Sequence, residues 1–424
     1  MTRPPANPDS AGAAPQPRLA EHFFRHQYGQ LVATLARLAG LEHLQRAEDA
    51  VASAFTTALE AWKDGAPADP GSWLYRVAHN RLVGDLRRDA GRLRILQRAG
   101  GDDDDGDGPA PTHLAGELRD DLLRMLFVCC HDAIPMESRL VFALKTLCGF
   151  DTEEIAARLF TTAANVHKRL ARARERLRAI GPDLETPPLV ELRSRLSGVQ
   201  AVLYLLFNEG YLSLQDDQAI RRDLCDEAIR LATLLTEHPV GAVPETFALV
   251  ALMHLHTSRL GARLDGLGGL LLLEEQDRSR WDRERIAVGM QWLARAASGE
   301  IFSRFHAEAG IAAEHCLAPS FEATRWSEIA HLYQMLERIA PSPLHTLNRA
   351  VAVAEWQGPE AALASLEGLV PPGWLAGSYL WEAVLGDLHR RAGHAEVANQ
   401  HGERALALAP SEPLRALLRR RLVF

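Results

Sequence analysis

Apolar residues recur at intervals of three and four along almost every segment of the chain, and convincing alternation of apolar and polar residues is absent. Intervals of three and four place side chains on one face of an α-helix, whereas alternation is the pattern of a half-buried β-strand. The spacing therefore predicts an all-α fold. Polar segments rich in Pro, Gly or Asp interrupt this pattern and divide the chain into blocks.

The interruptions predict five parts. The most prominent interruption is LQRAGGDDDDGDGPAPTH, an acidic segment between two arginine-rich helical blocks. A Pro-containing joint, IGPDLETPPL, separates the second block from a long helical region. The predicted parts are a disordered tail at 1–18, a helical block at 19–97, an acidic flexible linker at 98–113, a second helical block at 114–181 and a helical region at 190–424.

The net charge of the whole chain conceals a basic half. The 424 residues carry a formal net charge of −8, which by itself argues against a nucleic-acid partner. Residues 1–181 hold 24 Lys and Arg against 24 Asp and Glu. Five of those acids lie in the linker, at Asp102, Asp103, Asp104, Asp105 and Asp107, so the rest of this half carries +5. The two helical blocks are therefore basic enough to approach a polyanion.

The cysteines and the apolar runs indicate the compartment. Five scattered cysteines without paired spacing suit a reducing cytosol better than a disulfide framework. The adjacent cysteines of CCH at 129–131 lack the usual spacing of zinc ligands, so neither a metal nor a cofactor is predicted. The tail has no apolar stretch typical of a signal peptide, and the longest apolar run ends at Glu274. We expect a soluble, cytoplasmic protein with no membrane partner.

One segment, FDTEEIAARLFTTAANVHKRLARARERLRA, predicts two short helices with a tight turn. Asp151 or Thr152 is suited to cap the first helix, and Thr161 or Thr162 the second. The second helix has a basic face formed by Asn165, His167, Lys168, Arg169, Arg172, Arg174, Arg176 and Arg178. This pattern is typical of a helix-turn-helix whose second helix enters a DNA groove. The alternative is an arginine-rich amphipathic helix on the surface of the protein.

The same segment resembles region 4 of bacterial extracytoplasmic-function sigma factors, which are group IV of the sigma-70 family of RNA polymerase sigma factors. The first block is similar to region 2 of that family, through AEDAVASAFTTALEAW and PGSWLYRVAHNRLVGDLRR. The residues that match region 4 are Arg139, Phe142, Leu144, Gly149, Glu154, Ile155, Ala156, Leu159, Arg169, Leu170, Arg172, Ala173, Arg174 and Leu177.

Further motifs resemble the subfamily of these sigma factors that has a large helical, tetratricopeptide-like C-terminal extension. The motifs are CCH at 129–131, YLLFNEGY at 204–211, EEQDRSRWD at 274–282 and PSPLHTLNRAVAVA at 341–354. The implied fold is two small helical sigma domains joined by the acidic linker, followed by a large α-helical domain. The implied function is to bind core RNA polymerase, recognise the −35 and −10 promoter elements and promote transcription initiation.

The resemblance also implies contact residues in three sets. For the −35 element they are Thr162, Asn165, His167, Lys168, Arg169, Arg172 and Arg174. For the −10 element they are Trp73, Tyr75, Arg76, Asn80, Arg81, Arg87 and Arg88, with residues 64–72 as the loop of a base pocket. For the polymerase they are Glu48, Asp49, Val51, Ala54 and Phe55. Trp73 is equally consistent with a place in the core.

The partners implied by the resemblance are promoter DNA and core polymerase, through its β′ clamp helices and its β flap. A linker of some sixteen residues allows two DNA-reading domains to occupy separate promoter elements. Its aspartates could occupy a cationic RNA channel as a nucleic-acid mimic, or they could belong to a solvated spacer.

The extension shows internal repetition near its end. Leu385, Gly386, His389, Gly393, Ala398, Ala405 and Pro410 follow the spacing of a 34-residue helix-turn-helix repeat. A degenerate relative precedes it, with a turn at Gly358 and Pro359. We expect this extension to modulate the sigma domains by docking on them or by binding a protein partner. The polar residues of YLLFNEGY and EEQDRSRWD predict buried networks and interhelix ion pairs, with an active site as the alternative.

Two other functions are compatible with the residues. One is a one-component transcriptional regulator, in which the helix-turn-helix is joined to a helical domain that binds a ligand or a partner. The other is an enzyme built on the C-terminal helical region with an attached DNA-binding module. The sequence contains neither a phosphate-binding glycine loop nor an HExxH motif, so we expect no enzymatic activity.

Overall fold

The computed structural model describes residues 17–63, 65–97, 115–159, 161–180, 189–211, 222–265 and 269–422. These residues form α-helices and short 3-10 turns without a β-strand, apart from one isolated bridge between Leu264 and Leu270. The all-α prediction is therefore confirmed. Most of the predicted tail and the whole acidic linker lie outside the described residues.

The chain divides into two compact units, Met1–Glu191 and Leu192–Phe424. Both predicted sigma domains fall within the first unit, so they pack together rather than standing apart. The helices of this unit are α1 (Pro17–Ala39), α2 (Leu44–Ala61), α3 (Pro70–Gln97), α4 (Ala115–Cys129), α5 (Met136–Cys148), α6 (Thr152–Arg158) and α7 (Ala163–Ile180). Helix α1 packs against α2 and α3 of its own block and also against α4 and α5 of the next one.

Local capping explains where α6 and α7 begin. The Asp151 carboxylate accepts a hydrogen bond from the Glu154 N–H (2.7 Å), and the Glu154 carboxylate accepts one from the Asp151 N–H (2.8 Å). This reciprocal capping box satisfies two backbone donors at the start of α6. The Thr162 hydroxyl accepts from the Asn165 N–H (3.2 Å) at the start of α7. The helix-turn-helix is thus confirmed, with both caps among the predicted residues.

The second unit is built around a helix that is buried on nearly every side. Residues 248–253 and Leu255 of α10 are buried, and α9, α11 and α12 pack around it. The helices are α8 (Leu189–Tyr211), which begins at the boundary, α9 (Arg222–Glu237), α10 (Pro244–Thr257), α11 (Arg283–Ala296), α12 (Arg304–Leu317), α13 (Trp326–Ile339), α14 (Pro343–Gln357), α15 (Pro359–Ser365), α16 (Gly373–Ala376), α17 (Tyr379–Arg391), α18 (Ala395–Leu408) and α19 (Glu412–Leu422).

Two helical hairpins lie where the repeat spacing predicts them. Helices α14 and α15 meet at Gly358 (φ 94°), and α17 and α18 turn at Gly393 (φ 81°). These left-handed values favour glycine. Gly386 allows α17 and α18 to approach closely, since a Cβ atom there would lie 3.4 Å from the Cβ atom of His401. Gly402 occupies the usual place of an aromatic residue because α19 packs there, with the Leu422 carbonyl oxygen 3.4 Å from a Cβ atom at that position.

Candidate nucleic-acid interface

Helix α7 presents the basic face that its sequence predicts. Its apolar residues Val166, Leu170, Ala173 and Leu177 are buried. Four of the seven predicted −35 contacts are exposed, and three are half-buried. The exposed residues are Thr162, His167, Lys168 and Arg172, and the half-buried ones are Asn165, Arg169 and Arg174. The N-terminal turns of α7 therefore combine one exposed lysine with a neighbouring arginine and an amide, which are side chains that pair with base edges.

Asn165 is held in place by the turn before α7. Its Nδ2 atom donates a hydrogen bond to the Thr161 hydroxyl (2.8 Å), while its backbone N–H donates to Thr162. A bidentate contact with adenine needs both the donor and the acceptor of the amide. Asn165 would therefore have to exchange the bond to Thr161 for the bond to the base.

Arg174 differs from the sequence expectation. Instead of facing solvent on the basic face of α7, it forms an ion pair with Glu48 of α2, in which only 19% of the Arg174 side chain and 5% of the Glu48 side chain are exposed. The second carboxylate oxygen of Glu48 accepts a hydrogen bond from the Thr146 hydroxyl (2.6 Å). The pair forms because α5 and α7 pack beside α1, α2 and the short turn Leu41–His43, a tertiary contact that helical periodicity does not encode.

The predicted polymerase contacts are mostly buried. Glu48, Val51, Ala54 and Phe55 have at most 4% of their surface exposed, whereas Asp49 is exposed. The four buried residues lie on the apolar stripe of α2 because they follow helical spacing together with Leu44, Ala47 and Ala58. In this conformation they cannot contact a partner. The opposite face of α2 is open, with Ala52 and Thr56 exposed beside Asp49.

Helix α3 carries the predicted −10 contacts on two different flanks. Arg76, Asn80, Arg81, Arg87 and Arg88 are exposed, with Arg88 paired to Asp85. Successive helical residues are about 100° apart, so Trp73, Arg76, Asn80 and Arg87 share one flank. Tyr75, two positions after Trp73, lies on the other flank and stacks on His79 (5.6 Å between ring centroids). Trp73 and Tyr75 therefore do not form a single stacking surface.

Trp73 is half-buried at the start of α3. Its ring packs edge to face against Trp62 at the end of α2 (5.2 Å between centroids, 61°). The loop before α3 ends at Asp69, whose carboxylate accepts hydrogen bonds from the Ser72 N–H (3.0 Å) and hydroxyl (2.6 Å). These bonds hold the pKa of Asp69 below its usual value. Trp73 is thus partly packed against α2.

Two contacts that sequence reasoning missed join the blocks of the first unit. Arg37 of α1 pairs with Asp121 of α4 (2.7 Å), and 3% of the Asp121 side chain is exposed. Gly29 of α1 lies so close to α5 that a Cβ atom there would be 2.2 Å from the Leu147 carbonyl oxygen. A glycine inside a helical pattern often marks such a close approach. Gly29 was therefore a signal in the sequence for this contact.

In the second unit, the polar motifs YLLFNEGY and EEQDRSRWD form structural networks. Arg259 donates to the Tyr211 hydroxyl (3.0 Å), and Arg263 lies over the Tyr211 ring (4.0 Å). Arg278 donates to the carbonyl oxygens of His315 (2.6 Å) and Ala318 (2.8 Å). These bonds tie loops to helices, which confirms the prediction of polar networks for these residues.

The carboxylates of EEQDRSRWD also have structural roles, as caps of helical turns and as ion-pair partners. Asp277 and Asp282 each accept a hydrogen bond from a backbone N–H at the start of a helical turn. Glu275 accepts one from the Leu272 N–H (2.7 Å), and Glu274 pairs with Arg421 of α19 (3.2 Å). The motif therefore caps turns and ties α19 to the rest of the unit.

A small open cavity lies between α13, α14 and α19. It measures about 250 Å³, and Trp326, Tyr333, Asn348, Glu355 and Arg421 are among its lining residues. Cavities that hold drug-sized ligands are about 300–1,000 Å³. Burial lowers the pKa of the neighbouring His315 to about 3, so that its imidazole stays neutral.

All five cysteines are buried thiols. Burial raises the pKa of the Cys129 thiol, and the nearby groups Cys130, Glu48 and Cys148 raise it further. Across the part of the chain that the structure describes, no group of three or more His, Cys, Asp or Glu side chains is arranged to hold a metal ion. Within that same part, no helix combines the length and the apolar character needed to cross a membrane.

Comparisons with known families agree with the helix-turn-helix and with the block before it. Residues 23–92 match the family model of sigma-70 region 2, and residues 124–177 match that of sigma-70 region 4. The chain belongs to the sigma-70 family. It is an RNA polymerase sigma factor of the extracytoplasmic-function type with a C-terminal extension, and it recognises promoter elements. Part of the extension, residues 195–297, matches a family of unknown function, DUF6596.

A relative of this sigma factor shares nearly its whole length. It is an uncharacterized protein of Rhizobium meliloti (strain 1021), 38% identical over 390 residues, which are 91% of this chain and 92% of the relative. No solved structure matches the chain.

Proposed function

We propose that α7 reads the −35 element, that the exposed flank of α3 binds the −10 element, and that the extension modulates both. Support comes from one observation above all: α7 begins at a side-chain cap and exposes Lys168 and Arg172 in a unit that also exposes the arginines of α3. The proposed site of action is the cytoplasm, with core polymerase bound through its β′ clamp helices and β flap.

For the −35 duplex, the roles divide between base edges and phosphates. Lys168 and Arg169 are proposed to donate to guanine, and Asn165 to pair with adenine after releasing Thr161. Thr162 and His167 are proposed as further contacts at the groove, and Arg172 as a phosphate contact. Phosphate contacts fix orientation and supply affinity that depends on salt, but they do not select a sequence.

For the −10 element, binding energy must offset the opening of the duplex. Each base-pair step costs about 1.4 kcal/mol to unstack. Stacking of one base on an aromatic side chain contributes about 1–3 kcal/mol. One ring, Trp73, therefore compensates for one or two steps, and bases bound in the pocket before α3 must supply the rest. Asn80 is proposed to contact a base edge, and Arg76, Arg81, Arg87 and Arg88 to contact phosphates.

Tyr75 is proposed as a more distant member of the −10 site. Burial raises the pKa of its hydroxyl, and its ring is stacked on His79. A phenol in that environment stays protonated near neutral pH, so it can donate a hydrogen bond to the strand.

For the polymerase, the proposed contact surface is the exposed face of α2, because it is accessible in the first unit. Asp49 lies on this face with Ala52 and Thr56. Glu48, Val51, Ala54 and Phe55 would join the contact only after the packing around α2 changes.

For the extension, charge complementarity supports a modulating role. Residues after 181 hold 23 Lys and Arg against 31 Asp and Glu, while the sigma blocks without the linker aspartates are basic. Helical hairpins such as α17–α18 stack into surfaces that bind peptides or pack against their own chain.

The test is run-off transcription with purified core polymerase on genomic promoter fragments. The full chain and a truncation after Ile180 are compared at equal concentration, and binding to core polymerase is measured in parallel. We expect both proteins to bind core polymerase and to differ in promoter output. Equal output would remove the modulating role, and failure of both to bind would remove the proposed polymerase contact.

A further inference from the structure

We propose that the open cavity between α13, α14 and α19 binds a free α-amino acid with a large apolar side chain. Its basis is that one cavity joins an aromatic wall to an ion pair with unused hydrogen-bonding capacity. Binding itself requires neither DNA nor polymerase, so it goes beyond the proposed function. Only an effect of the amino acid on transcription rests on the modulating role proposed for the extension.

The size and the apolar wall of the cavity limit the ligand. Its volume of about 250 Å³ lies below the range of about 300–1,000 Å³ that holds drug-sized molecules, so the ligand is smaller than these. The Trp326 ring of α13 meets the rings of Phe321 (5.0 Å between centroids) and His315 (5.3 Å) edge to face. Ile329 and Val351 extend this wall. Such a wall binds an apolar side chain, and it suits a ring because aromatic rings favour edge-to-face contact.

The charge of the cavity comes from side chains other than its histidine. Burial lowers the pKa of His315 to about 3, so its imidazole is neutral near pH 7. The charged lining residues are Glu274, Glu355 and Arg421. Glu355 is paired with Arg391 of α17, and 18% of its side chain is exposed, against 45% for Glu274. The pair that is open to a ligand is therefore Glu274 with Arg421.

Both members of this pair have unused hydrogen-bonding capacity. Arg421 donates through Nη1 to Glu274 Oε1 (3.2 Å), and through Nε and Nη2 to the Asp387 carboxylate (3.3 and 3.1 Å). A guanidinium has five N–H donors, so two remain after these three bonds. The other oxygen of Glu274 has no hydrogen-bond partner among the described residues. Arg421 can therefore bind a ligand carboxylate while Glu274 binds a ligand ammonium.

The spacing of the pair selects an α-amino acid. The two charged atoms lie 3.2 Å apart, so a ligand that binds both must carry its own charges close together. An α-amino acid does so, because its ammonium and carboxylate share one carbon atom. A ligand with a single charge would instead be repelled by the member of the pair that has the same sign. The half-buried Asn348 amide also lines the cavity, and it forms no hydrogen bond with the described residues. It supplies a third polar contact for the ligand.

The ligand would also strengthen the attachment of α19. Arg420 of this helix donates to the Leu270 carbonyl oxygen (3.1 Å) and to Glu275 (2.8 Å), while Arg421 reaches Glu274. An amino acid between Glu274 and Arg421 adds bonds between this loop and the helix. A ligand shifts a protein only by binding one state better than another, and the attached state of α19 is the one that offers both charges.

The first experiment measures binding to the full chain. The standard L-amino acids are tested by saturation-transfer NMR, and isothermal titration calorimetry gives the Kd of those that bind. We expect binding of phenylalanine and of other amino acids with large apolar side chains, and none of glycine. Phenethylamine and 3-phenylpropionate each lack one charge of phenylalanine, so they should bind about tenfold more weakly or worse. Absence of binding by every amino acid, or equal binding of these two analogues, would overturn the inference.

Single substitutions test whether the ligand lies in this cavity. Glu274→Gln removes the partner of the ammonium and should weaken binding about tenfold. Glu275→Gln is its control, because this neighbouring carboxylate lies outside the lining. Val351→Trp fills the cavity and should abolish binding. Val397→Trp on α18 is the matched control, since the two valines are exposed almost equally (36% and 38%) and Val397 is not a lining residue. Equal effects of each variant and its control would overturn the inference.

Run-off transcription separates this inference from the proposed function. With core polymerase and the full chain, a saturating amino acid should change promoter output, and Glu274→Gln should remove the change at the same concentration. Binding without a change in output would support the site and count against the modulating role of the extension. Absence of binding, when the full chain and the truncation after Ile180 differ in output, would overturn the inference and leave the modulating role intact.

Discussion

Removal of Arg174 should destabilise the packing of the first unit. The labelling rate of a buried cysteine can measure this change in free energy. The Glu48 side chain is 5% exposed, and Arg174 → Ala would leave its carboxylate with the Thr146 hydroxyl as its remaining hydrogen-bond partner. Loss of one partner from a buried ion pair costs about 3–5 kcal/mol. Because 19% of the Arg174 side chain is exposed, water screens part of this loss, and we expect about 2–3 kcal/mol.

The assay is labelling of the native chain with a thiol reagent, resolved residue by residue by mass spectrometry. Cys129 is fully buried beside Glu48, and burial raises the pKa of its thiol, so it reacts through opened states. When closing is faster than labelling, the rate follows the opening equilibrium. A change of 2–3 kcal/mol then accelerates labelling of Cys129 by roughly 30- to 150-fold.

The second unit contains its own controls. Cys225 and Cys316 are buried there, and their labelling rates should not change. The double variant Glu48→Gln with Arg174→Gln removes both charges and should return the Cys129 rate most of the way to that of the unsubstituted chain. Acceleration of less than about threefold in Arg174→Ala would refute the argument that the pair is buried and coupled.

Three further predictions concern DNA affinity and acid stability. Arg172→Ala should weaken binding of −35 duplexes equally for all sequences and reduce the salt slope of log K by about 1, measured by fluorescence anisotropy across a salt series. Lys168→Ala should cost about 1–3 kcal/mol and relax preference at a single base pair, which a panel of substituted duplexes will show. Burial lowers the pKa of His254 to about 4 and that of His315 to about 3, below the ordinary 6.5, so both contribute full stability above pH 6.5 and lose it as the pH falls. Protonation of each histidine should lower the free energy of unfolding of the second unit by about 1.4 kcal/mol per pH unit between pH 6 and 4. His315→Asn should therefore flatten the dependence of the thermal midpoint on pH.

Features that depend on neighbours in the sequence could be predicted, and those that depend on distant segments could not. The caps of α6 and α7 and the turns at Gly358 and Gly393 follow from side chains within a few residues. Helical spacing also identified the buried stripe of α7. The same spacing cannot distinguish an apolar residue that faces the core from one that faces a partner, and the burial of Val51 and Ala54 of α2 was not predicted for this reason.

Ion pairs between residues that are distant in the sequence could not be predicted either. Glu48 and Arg174 are 126 positions apart, and each alone is typical of an exposed contact. Their pairing requires the relative position of two blocks that are separated by an acidic segment. Tyr75 was grouped with Trp73 because both are aromatic and close in sequence, although an interval of two residues places them on opposite flanks of α3.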